Sequence, residues 1–185
     1  LPTAAPALLI YAAVIRRSPD GARVGAHTYA FGGGYLAVWI LFSLGATLLQ
    51  RGLDRLLVLT PKMEPRGPVF GGVLLITAGI FQLTPWKRTC LEACRSPAEF
   101  LVRHWRPGVA GGFHLGVVNG LYCLGCCWAL MLLLFVGGVM NLWCIVALTI
   151  FVLLEKLAPL GVQGGRLSGV LLAALGVWML ARGFV

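Results

Sequence analysis

Apolar residues run through this chain in long blocks rather than in alternation, and polar residues gather between the blocks. Apolar windows fall at about 29–49, 69–86, 109–138, 141–158 and 166–184, with a shorter one at 1–15. An α-helix needs about 20 such residues to cross a bilayer. The pattern therefore predicts an all-α fold, a polytopic transmembrane helical bundle of about six helices with the first incomplete. Turn-forming residues mark the ends: Ser18-Pro19-Asp20-Gly21, Thr60-Pro61, Pro65-Arg66-Gly67-Pro68, Thr84-Pro85, Arg106-Pro107-Gly108 and Ala158-Pro159. The segment 85–107 is the main polar loop, with a short amphipathic helix expected around Thr89–Arg103. No polar stretch is long enough for a separate soluble fold, so residues 1–185 read as a single transmembrane domain. Leu1 opens the latter part of an apolar helix, and earlier helices are expected upstream of it.

Composition sharpens this reading. Apolar residues make up 59% of the 185 and charged residues only 11%, against about 25% charged in an ordinary soluble domain. The net charge of +9 does not point to nucleic acid, because the cations lie in the short links between apolar windows. There they act as topology determinants and lipid-headgroup contacts. The links after the first, third and fifth helices hold ten of the fifteen Lys and Arg residues: Arg16, Arg17, Arg23, Lys87, Arg88, Arg95, Arg103, Arg106, Lys156 and Arg166. The positive-inside rule then makes the loops 16–28, 85–107 and 156–166 cytoplasmic and leaves the C-terminus outside.

Within the fourth window, Gly108, Gly112, Gly116 and Gly120 recur every four residues, a small-residue stripe that lets another backbone come close. The same window carries Cys123, Cys126 and Cys127, three thiols within five residues, with Met131 one turn on. Asn119, Cys123, Cys126 and Cys127 share one helix face. The next window is joined by a short link and must return antiparallel, bringing a face of Met140, Cys144, Ala147, Phe151 and Glu155. Counted from Val139, Cys123 and Glu155 are each 16 residues away, so both lie at one depth. Cys90 and Cys94 form a further pair, spaced by four beside Lys87, Arg88 and Arg95, where neighbouring cations favour thiolate.

Sulfur ligands select Cu(I), or Zn(II) where thiolates dominate. Cys123, Cys126 and Cys127 are accordingly the core metal ligands in this reading. Met131, Met140, Cys144 and Glu155 are secondary contacts, and Cys90 with Cys94 a cytoplasmic acceptor. Packing is the competing account of the same residues, since Cys is a small hydrophobe and Met a gap-filler, and Glu155 beside Lys156 also fits a snorkelling interfacial charge. His114 falls on the face opposite the thiols. His104 belongs to an aromatic, basic anchor, and His27 has no ligand-like neighbours.

Gly120-Leu-Tyr-Cys123-Leu-Gly-Cys126-Cys127-Trp-Ala-Leu-Met131, Cys90-Leu-Glu-Ala-Cys94-Arg95-Ser-Pro97, Phe81-Gln-Leu-Thr-Pro85-Trp-Lys87 and Gly137-Gly138-Val-Met140-Asn141 together resemble the bacterial predicted metal-binding integral membrane proteins, a domain of unknown function. The resemblance covers nearly the whole chain and implies metal binding and a location in the bacterial inner membrane. Members of that family carry a Met-rich stretch and another helix ahead of the position of Leu1.

Three functions follow from these residues. The first is an inner-membrane protein that binds, and transfers or transports, a soft metal ion, Cu(I) ahead of Zn(II), with a metallochaperone or a larger membrane complex as partner. The second is a membrane thiol–disulfide oxidoreductase using the Cys123/Cys126 pair. The third is an accessory structural subunit whose thiols only pack. The chain carries no nucleophile elbow, Walker loop or HExxH motif, so a non-enzyme is favoured.

Overall fold

A computed structural model describes residues 4–55, 68–134, 141–157 and 161–183. Those residues are almost entirely helical, with no strand among them. The elements are α1 (Ala5–Arg16), a 3-10 turn (Pro19–Arg23), α2 (Val24–Arg55), α3 (Pro68–Leu83), α4 (Pro85–Arg95), α5 (Pro97–His104), α6 (Gly108–Leu132), α7 (Leu142–Leu157) and α8 (Gly161–Gly183). Among the described residues, three stretches are long and apolar enough to cross a membrane: Gly21–Gly52, Gly108–Leu132 and Gln163–Arg182. Val69–Leu83 and Pro85–Arg95 reach that length and apolarity only together, and a 65° bend parts them.

Local chemistry explains the break. Pro85 has no N–H to donate and cannot continue α3, so that helix ends at Leu83. Thr84 fills the gap, its N–H and hydroxyl both donating to the Phe81 carbonyl at 3.1 and 2.7 Å. Its hydroxyl oxygen then accepts from the Lys87 N–H at 3.4 Å and so caps α4, with Pro85 at the first helical position. The segment read as a polar loop with one amphipathic helix is thus two helices, parted at Ser96-Pro97. Their apolar faces are packed, with Leu91, Phe100 and Leu101 buried, while Trp86 and Val102 face outward.

The chain divides into two compact units, Leu1–Ala46 with Thr89–Gly125, and Thr47–Arg88 with Cys126–Val185. In the first, α1 packs on α5, and Tyr11 stacks on Phe31 at 5.2 Å in a core that includes Ile15, Phe100 and Leu115. The glycines of α6 meet α2 there. A Cβ built at Gly116 would come 1.9 Å from the Phe31 carbonyl oxygen, and one at Gly34 would come 2.1 Å from that of Phe113. At Gly112 and Gly120 the neighbours are Tyr11 and Val38. Positions rise together along both helices, so α2 and α6 run parallel. Gly108, the first of the expected stripe, has open space around it. Its φ of +80° instead serves the turn into α6, a conformation that glycine adopts without a Cβ penalty.

In the second unit the seam joins α3 to α8. A Cβ at Gly79 would lie 2.7 Å from the Gly169 carbonyl oxygen, and one at Gly176 would lie 2.8 Å from that of Gly72. Here one helix ascends as the other descends, so the pair is antiparallel. Gln82 continues the seam, donating through Nε2 to Ser168 Oγ at 3.1 Å. The α7 helix packs on α8. Large apolar residues such as Leu41, Leu48, Leu142 and Leu167 are exposed, an outward apolar surface of the kind that lipid covers.

Candidate metal centre

The C-terminal half of α6 carries the thiols, and in the first unit its glycines let it lie close against α2. Cys123, Cys126 and Cys127 are 4%, 1% and 2% exposed. In the first unit, Cys123 Sγ lies 3.3 Å from the Tyr35 hydroxyl on α2. It packs in a small cluster with Ala4, Tyr35, Trp39 and Cys94. Cys90 is also buried, and a Cβ added at Gly125 would come 3.0 Å from its sulfur, so the missing side chain at Gly125 makes room for that thiol. The Cys90/Cys94 pair sits within packed helices, Cys90 buried and Cys94 half-buried beside Cys123.

In the second unit, Cys126 and Cys127 share their surroundings with charge. The Lys87 ammonium donates to Glu155 Oε1, and both side chains are almost wholly excluded from solvent. Both thiols lie within electrostatic range of Lys87, and Cys126 within range of Glu155. Trp128, the residue after Cys127, meets Phe81 edge-on at 5.0 Å, which sets this part of α6 against the end of α3 next to the bend. Gly165 on α8 clears the space for the ion pair, since a Cβ there would lie 2.7 Å from Glu155 Oε1 and 4.0 Å from Lys87 Nζ. Lys156 is buried beside Glu155 in sequence.

The other expected ligands are spread more widely. Met131 is half-buried on α6. Cys144 is half-buried on the first turn of α7, where Asn141 Oδ1 accepts from the N–H groups of Trp143 and Cys144 at 3.1 and 3.4 Å. Met140 lies outside the described residues. The Glu155 carboxylate is engaged by Lys87. Among the described residues, no three His, Cys, Asp or Glu side chains converge as a metal site, and none of the cysteines is disulfide-bonded.

Lys87 is the residue that sequence reasoning passed over. A carboxylate inside an apolar window needs a partner, and Thr84-Pro85-Trp86-Lys87 offered a cation just past a helix break. His27 Nδ1 is 3.4 Å from the Tyr11 hydroxyl, and His114 Nδ1 is buried with no hydrogen-bond partner among the described residues.

The comparison with curated proteins returns no match, and neither does the comparison with solved structures. The family model described as PpoB2, copper chaperone, matches residues 1–179, and so takes in every thiol described above. This thiol-bearing helical chain belongs to that copper chaperone family.

Proposed function

We propose that the chain is a membrane-embedded copper carrier that takes Cu(I) as cargo on the thiols of α6 and passes it on. The observation that carries this reading is the burial of Cys123, Cys126 and Cys127 within five residues of one apolar helix. Buried thiols offer a desolvated soft donor set, which favours Cu(I) over hard cations. The number of donors favours copper over zinc. Structural zinc takes four ligands in a tetrahedron, whereas Cu(I) is satisfied by two sulfurs. Cys126 with Cys127 is the site assigned in the second unit, with Cys123, Cys90 and Cys94 as thiols available to the ion in the first. Met131, Met140 and Cys144 are further soft contacts in this scheme.

The exposed leucines and the long apolar helices support a bilayer as the surrounding medium. The cation count of the links supports the bacterial inner membrane orientation, with 16–28, 85–107 and 156–166 on the cytoplasmic side. A metallochaperone or a larger membrane complex is the partner on either side of the transfer. The test is copper content of the full chain purified in detergent after loading with Cu(I). The Cys123/Cys126/Cys127→Ser triple variant is expected to lose the bound ion, and unchanged stoichiometry would remove the assignment.

A further inference from the structure

We propose that the first unit holds a two-sulfur Cu(I) site of its own, made by Cys94 of α4 and Cys123 of α6, in which the Trp39 indole N–H donates to the copper-bound sulfur of Cys123. The proposal rests on the copper reading above. It adds a ligand pair, a positioning residue and a separate ion to that reading.

Cys94 and Cys123 come from different helices, and the fold packs both into one cluster with Ala4, Tyr35 and Trp39. Cys90, one turn before Cys94, lies against Gly125, so the thiol-bearing face of α4 meets the thiol-bearing part of α6. One sulfur from each helix makes a soft donor set for Cu(I). Such a pair falls short of the four ligands that structural zinc takes.

Trp39 supplies the observation that packing leaves unexplained. Its Nε1 is buried with no hydrogen-bond partner among the described residues. An indole N–H is a donor only, and a buried donor without an acceptor is costly. Trp39 packs against the cluster that holds Cys123, its ring 6.2 Å from that of Tyr35, whose hydroxyl is 3.3 Å from the Cys123 sulfur. Cu(I) binding to the two thiols releases both protons to solvent and transfers no electron: Cu⁺ + 2 RSH → [Cu(SR)₂]⁻ + 2 H⁺. The charged sulfur is a stronger acceptor than the thiol it replaces. Arrival of the ion thus gives the orphaned N–H the acceptor it lacks.

The fold also opens a route to these thiols. A cleft of about 220 Å³ lies within the first unit among α4, α5 and α6. Thr89, Ala93 and Tyr122 line it, and each is followed in sequence by a cysteine: Cys90, Cys94 and Cys123. The cleft therefore borders the helix faces next to those that carry the sulfurs.

The experiment is Cu(I) stoichiometry and affinity of the full chain in detergent, measured by competition with a chromogenic Cu(I) chelator. Cys94→Ser is expected to hold one ion fewer than wild type, and so is Cys126→Ser/Cys127→Ser. Wild-type stoichiometry in Cys94→Ser would overturn the proposal. Wild-type stoichiometry in Cys126→Ser/Cys127→Ser, with an ion lost in Cys94→Ser, would remove the second-unit assignment and leave this site standing. Within the Cys126→Ser/Cys127→Ser background, Trp39→Phe is expected to weaken the remaining thiolate-bound ion about fivefold. The ultraviolet copper–thiolate band, which responds to hydrogen bonding at sulfur, should shift with it. An unchanged band and affinity would overturn the role of the indole, which a purely structural tryptophan would leave unmoved. Alkylation of the unsubstituted protein guards against a variant that fails to fold: Cu(I) should protect Cys94 together with Cys123, and labelling of Cys94 at the metal-free rate would sink the site.

Discussion

The Tyr35 hydroxyl and the Cys123 sulfur lie 3.3 Å apart, joining α2 to α6 through a polar contact inside a small apolar cluster. Removing the hydroxyl leaves the ring in place and takes away that contact. Tyr35→Phe should therefore cost about 1 kcal/mol, the net worth of a typical buried hydrogen bond. Thermal unfolding of the detergent-purified protein would measure it, and a stability equal to wild type would remove the bond from the account of the fold.

The glycine seams make a sharper prediction. Gly116 faces the Phe31 carbonyl, which is backbone and cannot swing aside, whereas Gly33 has nothing within 4 Å of an added Cβ. Gly116→Ala should lower stability by about 1–3 kcal/mol or more through overpacking. Gly33→Ala should be neutral or slightly stabilising, since alanine is the better helix former. Equal melting temperatures for the two variants would contradict the close approach of α2 and α6.

The buried ion pair gives a third test, this time of stability. Lys87→Met leaves the Glu155 carboxylate without its cation and should cost about 3–5 kcal/mol, whereas Lys87→Met/Glu155→Gln should recover much of that loss. Gly165→Ala should destabilise through its clash with Glu155 Oε1, and Gly164→Ala, with open space, should not. Denaturation midpoints of the four variants would show whether the pair and its cradle behave as one unit.

Thiol accessibility supplies the fourth. Alkylation of Cys126 and Cys127 in partly opened protein should be blocked by Cu(I) and not by an equal concentration of Zn(II), because two sulfurs satisfy the first ion and not the second. Mass spectrometry of the labelled peptides reads this out directly. Equal protection by both metals would point to a fuller donor set than two thiols.

Helix positions were legible in the chain because each apolar window reports a local property. The windows at 29–49, 109–138, 141–158 and 166–184 correspond to α2, α6, α7 and α8. Their ends moved where polar residues found partners inside the fold. Thus α2 begins at Val24 and takes in His27, whose ring meets Tyr11. The window at 69–86 ran through Pro85, where apolar character continues but hydrogen bonding cannot. The place of Glu155 inside an apolar window was also legible, but its partner was not, since Lys87 is 68 residues away and no local period encodes such a pairing. The Cys90 spacing showed two thiols on one side of a helix. It did not show that Gly125 on another helix would admit one of them.

The turn at Thr84-Pro85 decides where the first cation after α3 ends up. Had that helix continued straight, Lys87 would have been carried onward along the same axis, away from Glu155. Redirected by 65°, it begins a new helix with its amine turned inward onto a carboxylate. A single imino acid thus places an ionised group where an unbroken greasy rod would have had none.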